Sequence, residues 1–327
     1  MSSQKHNDKI IKWSNEEGGS KYVLYNNLLE YLGNNLFDDF EPTMGPFPDF
    51  TSRLEKWINN ISDDDSQKIL LELATRIFYV GSKEFISLYR TAYNSIIKRW
   101  LIDQIGADFD SLNYIENLKS ALDAVWFLPI TDSLRINQFY KVNQIDTKNT
   151  FRGDIRSMKF FVNNNDKFDE YILQRGIKYI VLLEDFVGSG TQALSSLKFV
   201  SELKNEIKVL FVPLIICHNG LDNIIRKMNS YSNFFVKPVI SLDAEHFVND
   251  DTSKFANNIQ LYELLSHTFK KVKGSLTDGA IKKLTPYGYK NTGGLTVLYS
   301  NTPNNSLPLI FIKSDTWEPL FQRNSRD

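Results

Sequence analysis

The stretch "YIVLLEDFVGSGTQALSSLKFV", from Tyr179 to Val200, limits the fold more than any other part of the chain. Five apolar or aromatic residues, 179–183, read as a buried strand. Two carboxylates, Glu184 and Asp185, follow at once. Gly188-Ser189-Gly190-Thr191 then forms a tight turn. Ala193, Leu197, Val200 and Leu203 recur at helical spacing. Another apolar run, "KVLFVPLIIC" (208–217), comes next. Strand, turn, helix and strand make a βαβ unit, which requires parallel strands and predicts an α/β sheet. Pro213 inside the second run argues against a fully regular strand there.

The rest of the chain divides around that unit. The first 120 or so residues read as helical. In "DDDSQKILLELATRIFYVG", Ile69, Leu73 and Ile77 fall on one helix face, with Asp64 or Asp65 as the cap and Gly81 as the stop. Ser82 is placed to cap the next helix, through Phe85, Leu88, Ala92, Ile96 and Trp100. "EPTMGPFPDF" is a loop. "AVWFLPI" (124–130) is a further strand candidate. Near the C-terminus "QLYELLSHTFKKV" reads as a helix, and "GGLTVLYSN" and "LPLIFIK" as strands joined by "NTPNNS". The expected division is a helical region over 1–120 and an α/β core over 121–327.

The balance of 38 basic and 39 acidic residues leaves a net charge of -1, which argues against a general electrostatic grip on nucleic acid and leaves open a local basic patch. The single cysteine, Cys217, permits no intramolecular disulfide and reads as a small buried hydrophobe. The four histidines show no metal-ligand spacing, and His218 and His246 read as structural or surface residues. The polar start "MSSQKHNDKIIKW" lacks the apolar core of a signal peptide. The longest apolar run is about half of what a membrane helix needs. The expectation is a cytoplasmic protein with no membrane contact.

Ligands bind at the carboxyl ends of the strands in open α/β sheets. There, Gly188 and Gly190 let the backbone turn with its N–H groups exposed. A helix starting near Thr191 adds unpaired donors and the positive end of its dipole. Ser189 and Thr191 add hydroxyls. That set suits a phosphate. Glu184 and Asp185 would repel an anion placed against them and suit hydroxyl donors or a divalent cation. A ribose 5-phosphate satisfies both halves. Neither a Walker P-loop nor G-x-G-x-x-G is present.

"VLLEDFVGSGT" resembles the ribose-phosphate loop of type I phosphoribosyltransferases. The resemblance implies a parallel sheet flanked by helices with a C-terminal hood. It implies that Glu184 and Asp185, the candidate catalytic residues, hold the ribose hydroxyls of phosphoribosyl pyrophosphate (PRPP). Mg²⁺ would lie nearby, reaching Asp185 through PRPP. Gly188, Ser189, Gly190 and Thr191 would bind the 5-phosphate. Gly188 stands where purine-salvage members carry a proton-transfer acid, and Gln192 where many members carry a small hydroxyl residue. Asp132 and Ser133, after the strand "AVWFLPI", are further substrate-binding candidates near the pyrophosphate, or else a turn or helix cap. Arg135, Arg152 and Arg156 are candidate pyrophosphate contacts or surface residues. Asn301, Thr302, Asn304 and Asn305 are candidate acceptor contacts in a hood loop.

"FLPITDS" and the ending "GYKNTGGLTVLYSNTPNNSLPLIF" with "WEPLF" resemble phosphoribosyltransferase-like proteins of bacterial conflict systems, some retron-associated. That likeness implies an antiviral defence effector with a partner protein or a nucleic-acid complex. The chemistry implied is PRPP-dependent phosphoribosyl transfer to an acceptor. The alternative is a non-catalytic PRPP or nucleotide sensor.

Overall fold

A computed structural model of the chain describes residues 2–42, 49–106, 110, 112–145, 158, 165–203, 207–248, 258–276 and 279–324. Its elements begin with α1 (Ser2–Ser14), α2 (Lys21–Asn35), α3 (Phe50–Ile58), α4 (Asp64–Thr75), β1 (Phe78–Val80), α5 (Ser82–Thr91), α6 (Lys98–Ile105) and α7 (Tyr114–Asp123). Next come β2 (Val125–Pro129), α8 (Ile136–Val142), α9 (Asn165–Arg175), β3 (Tyr179–Val187), α10 (Thr191–Ser201), β4 (Lys208–Cys217), α11 (His218–Met228), β5 (Phe234–Val236) and β6 (Ile240–Leu242). The last are α12 (Asn258–Lys273), α13 (Gly279–Lys282), β7 (Leu284–Thr285), β8 (Gly288–Tyr289), β9 (Thr296–Leu298) and α14 (Pro308–Phe311). A π-helical turn, Ala92–Ile97, joins α5 to α6.

The chain forms two compact units, one of Met1–Ser82 with Ala244–Asp327, the other of Lys83–Asp243. The boundary expected near residue 120 falls inside the second unit.

The second unit is a parallel α/β sheet in the order β2-β3-β4-β5, with β6 also pairing with β4. Alternate residues of a strand face opposite sides. On one side Trp126, Leu128, Ile180, Leu182, Val209 and Phe211 pack with Phe168 of α9, Leu197 of α10 and Ile224 of α11 in one buried cluster. Each new strand is added at the same edge, so crossovers of one hand place all three helices on this side. The opposite side is covered by the turn after α5, by α6 and by α8. There Tyr93 and Phe139 meet Phe127, and Trp100 meets Tyr179 and Phe235. This is why residues 83–120, although helical, belong with the sheet.

Pro213 sits in mid-strand without breaking β4. Its carbonyl accepts from Val239 N at 3.0 Å, so its missing N–H also points toward that edge. There the neighbouring strand is itself interrupted, between β5 and β6. On the inner side Glu184 pairs with Pro213, and the register resumes at Phe186 opposite Ile215.

The first unit packs α1–α4 with the C-terminal segment. Trp57 and Trp317 donate both indole N–H groups to the Leu309 carbonyl, at 2.7 and 2.9 Å. Buried Arg53 donates to Leu320 O at 3.1 Å and lies against Phe40, Phe50 and Phe321. β1 pairs in parallel with β9.

Three local expectations are corrected here. The helix before Gly81 ends at Thr75, and Phe78–Val80 is a strand, because its aromatic and β-branched residues find a partner in β9. Its cap is Asp63, which accepts from Ser66 N at 2.9 Å. The run "LPLIFIK" contains a helical turn, Pro308–Phe311, with Pro308 in the first turn, where its missing donor costs nothing. Among the described residues no helix is long and apolar enough to cross a membrane.

Candidate functional site

β3 runs on through both acids to Val187, four residues past the expected end at Leu183, and α10 starts at Thr191 as expected. Glu184 and Asp185 are therefore held by sheet backbone, and both are buried, at 6% and 8% exposure. Their partners come from the end of β2. Glu184 Oε2 accepts from Thr131 N at 3.0 Å, and Oε1 from Thr131 Oγ1 at 2.6 Å. Asp185 Oδ1 accepts from Ser133 Oγ at 2.9 Å and from Phe186 N at 2.8 Å. The Thr131 and Ser133 hydroxyls are themselves 2.6 Å apart. The two strand ends are thus tied into one polar cluster. Asp132 lies between these hydroxyls, exposed.

The turn after β3 is shaped by glycine. Gly190 has φ +73, and a Cβ there would lie 2.8 Å from Gly220 O and 3.1 Å from Ile224 Cγ1. A Cβ on Gly220 would lie 2.1 Å from Gly188 O. Two glycines bring the turn and the first turn of α11 into backbone contact. Asn223 Nδ2 adds a bond to Ser189 O at 3.0 Å, and Ser189 Oγ donates to Thr191 Oγ1 at 3.2 Å. The turn is a backbone frame leading directly into the N-terminus of α10, the geometry that binds phosphate.

Of the sequence candidates, the structure brings together Glu184, Asp185 and Ser133, with Gly188–Thr191 three residues beyond. Arg135 is exposed at the start of α8. Arg152 and Arg156 lie outside the described residues. Asn301, Thr302 and Asn305 are buried in the first unit. Their side chains bond to Asn324 O, Phe321 O and Tyr289 O, so they hold backbone in place. His218 pairs with Asp222 at 3.1 Å on the exposed face of α11. Burial pushes the Cys217 thiol up to about 12, which keeps it neutral and unreactive.

Sequence reading passed over Thr131, Gly220, Asn223 and Arg226. Gly220 carries a signal, a glycine in the first turn of an amphipathic helix, which marks close packing. A depression of about 470 Å³ beside the turn is lined by Asn219, Asp222, Asn223, Ile225 and Arg226. Arg226 lies 3.5 Å from Asn223 Oδ1. A larger cleft of about 700 Å³ lies in the first unit and touches none of these residues. Its lysines are already engaged, Lys68 by Glu16 at 2.5 Å and Lys21 by Glu72 at 3.5 Å.

The fit to a divalent cation follows from the donor set. Carboxylate and hydroxyl oxygens suit a hard ion such as Mg²⁺. Glu184 and Asp185 each already receive two donors, so the ion would be held mainly by oxygens of a bound ligand, with Asp185 beside it.

No curated protein and no solved structure matches the chain. The PRTase-CE family does, over residues 54–323, which include all of the polar cluster, the glycine turn and α11. An acid pair at a parallel strand's end, a glycine turn opening a helix and a match over most of the length agree, and the chain belongs to the PRTase-CE family of phosphoribosyltransferase-like domains.

Proposed function

We propose that the second unit binds PRPP at the ends of β2 and β3 and transfers its phosphoribosyl group to an acceptor. The observation that supports this most is the pairing of two opposite chemistries within eight residues. Glu184 and Asp185 accept hydroxyl donors, while the Gly188–Thr191 turn and the N-terminus of α10 offer N–H donors to a phosphate.

In this reading Asp185 and Glu184 orient the ribose and offset the positive charge that grows at C1 as pyrophosphate leaves. Ser189, Thr191 and the turn's backbone hold the 5-phosphate. Ser133 and Asp132 lie toward the leaving group. Arg226, beside the turn, supplies a cation for phosphate oxygens. Bound Mg²⁺ would neutralise the departing pyrophosphate. Gly188 provides no side-chain acid or base, so a proton from the acceptor must pass to solvent, to pyrophosphate or to the acceptor's own groups. Action as an antiviral defence effector, with a partner protein or nucleic-acid complex, belongs to the same proposal and is carried by resemblance.

Calorimetric titration with PRPP and Mg²⁺, followed by a pyrophosphate-release assay over a panel of acceptors, tests the reading. Binding and release are expected. Binding without release for any acceptor supports the sensor instead, and no binding removes both. Asp185→Ala should weaken PRPP by about 10- to 100-fold, since a hydrogen bond to a charged group contributes about 1.5–3 kcal/mol. Asp185 is buried, and Ser133 Oγ and Phe186 N lose their acceptor, so the melting temperature should fall as well, while the variant still folds.

A further inference from the structure

We infer that Asn223, on α11, is a positioning residue for the phosphate turn: by holding the Ser189 carbonyl it turns the Gly190 N–H toward the open side, where a phosphate would sit. This deepens the ribose-phosphate reading above and rests on it. The peptide bonds of the described residues are trans, and in a trans peptide the N–H points opposite to the C=O. Whatever aims a carbonyl at one side of the turn therefore aims the next residue's N–H at the other.

Two consecutive carbonyls are aimed at α11. Asn223 Nδ2 donates to Ser189 O at 3.0 Å. One residue earlier, a Cβ placed on Gly220 would lie 2.1 Å from Gly188 O and 3.1 Å from Gly188 C, so that carbonyl too is directed at the helix. The N–H groups of Ser189 and Gly190 consequently face away from α11. Among the described residues neither donates to a protein acceptor, and nor do those of Gly188, Thr191 and Gln192. Gly190 is left-handed, at φ +73, and successive N–H groups around such a residue form a concave anion site. The two carbonyls are held differently. Gly188 O is packed against Gly220, whereas Ser189 O is held by one side-chain bond. Without that bond the Ser189–Gly190 peptide can rotate and bring its carbonyl, in place of its N–H, to the phosphate. Arg226 lies 3.5 Å from Asn223 Oδ1, which matches the amide orientation that leaves Nδ2 for Ser189.

Ser189-Gly190 is the only Ser-Gly pair in the chain. Serine labelled with ¹³C at the carbonyl and glycine labelled with ¹⁵N therefore give a single cross-peak in a carbonyl-to-amide NMR experiment on the full chain, and that peak reports both ends of this peptide. The variants are Asn223→Leu, which keeps the bulk and loses the donor, and Asn223→Gln, which keeps the donor. The probes are inorganic phosphate and ribose 5-phosphate. Without ligand, the Ser189 carbonyl resonance should move upfield in Asn223→Leu and stay near wild type in Asn223→Gln. At saturating ribose 5-phosphate, the Gly190 amide proton should move downfield in wild type and in Asn223→Gln, and this response should be largely lost in Asn223→Leu. Saturation removes any dependence on affinity, so a merely structural weakening would leave the response intact. Affinity for ribose 5-phosphate should fall about fivefold in Asn223→Leu, the scale of one neutral hydrogen bond, and recover to within about twofold in Asn223→Gln. An equal Gly190 response in wild type and Asn223→Leu would overturn this role for Asn223. So would an unchanged Ser189 carbonyl in Asn223→Leu, whatever the ligand. If wild type binds neither probe, the ribose-phosphate reading falls and the presentation of donors falls with it, while the carbonyl shift still shows whether Asn223 holds the turn.

Discussion

Gly190 and Gly220 show how far a residue's chemistry can be read before its neighbours are known. The left-handed φ of Gly190 follows from a turn that must reverse in three residues. Where its absent side chain points does not. A Cβ at Gly190 would meet Gly220 and Ile224 on the helix side, away from the open side of the turn where a phosphate would sit. Gly190→Val should therefore abolish phosphate binding by deforming the frame rather than by filling the phosphate position. It should also lose stability, beginning with about 1–2 kcal/mol for the left-handed backbone alone. Gly220→Ala separates the two effects. In a free helix alanine gains up to about 1 kcal/mol over glycine, but here the new Cβ would lie 2.1 Å from Gly188 O. Reduced sulfate or phosphate affinity with an intact fold is the expected result, measured by titration and by urea unfolding. Unchanged affinity in Gly220→Ala would show that the turn does not depend on α11. The acids and glycines were legible because their residue types are costly without a purpose. Thr131 was not, because a threonine before Asp-Ser reads as a turn, and its partner lies 53 residues away.

The elements that formed as read were those whose local signal and long-range pairing agree. "KVLFVPLIIC" coincides with β4 end to end, and the proline that argued against a regular strand sits where the neighbouring edge is broken. Elements misread were those settled by distant partners. β1 exists because β9 pairs with it, and the start of α5 is capped from outside. Asp39 Oδ2 accepts from Ser82 N at 2.6 Å, and Oδ1 from Tyr79 Oη at 2.5 Å. One carboxylate thus joins strand to helix, a role expected of Ser82. Asp39→Ala should cost on the order of 3 kcal/mol, as two donors lose a charged acceptor. Asp63→Ala, removing a simple cap, should cost about 1 kcal/mol. Burial, and then the Asp39 bond, raise the Tyr79 hydroxyl above the usual tyrosine value. A raised value means the contribution is full below the ordinary tyrosine pKa and is lost only as pH rises through the folded one. Urea unfolding across alkaline pH should show this contribution, and Asp39→Ala should shrink it. Equal costs for Asp39→Ala and Asp63→Ala would reduce Asp39 to an ordinary cap.

At the scale of the whole molecule, the order of the chain hides which parts depend on each other. The helices before residue 120 follow one another in sequence with only β1 between them, yet they serve two cores. α1–α4 close over the C-terminal segment, as the Trp57 and Arg53 bonds show. α5, the π turn and α6 close over the parallel sheet. They contribute Tyr89, Tyr93, Ile97, Trp100 and Leu101, all buried. At about 1.5–3 kcal/mol for each side chain, these come to roughly 10 kcal/mol, comparable with the net stability of an entire domain. The sheet should therefore survive a cut at 83 and fail after one at 121. A fragment of residues 83–243 should give dispersed amide resonances and near-ultraviolet circular dichroism from Trp100 and Trp126. A fragment of residues 121–243 should lose both, because Tyr179 and Phe235 would lose Trp100 and Phe127 would lose Tyr93, leaving α8 alone over that side of the sheet. If the shorter fragment folds as well as the longer, α5 and α6 are a dispensable cover and the sheet is stabilised from the α9–α11 side alone. If neither folds, the sheet requires the first unit, and the two cores are not independent in stability.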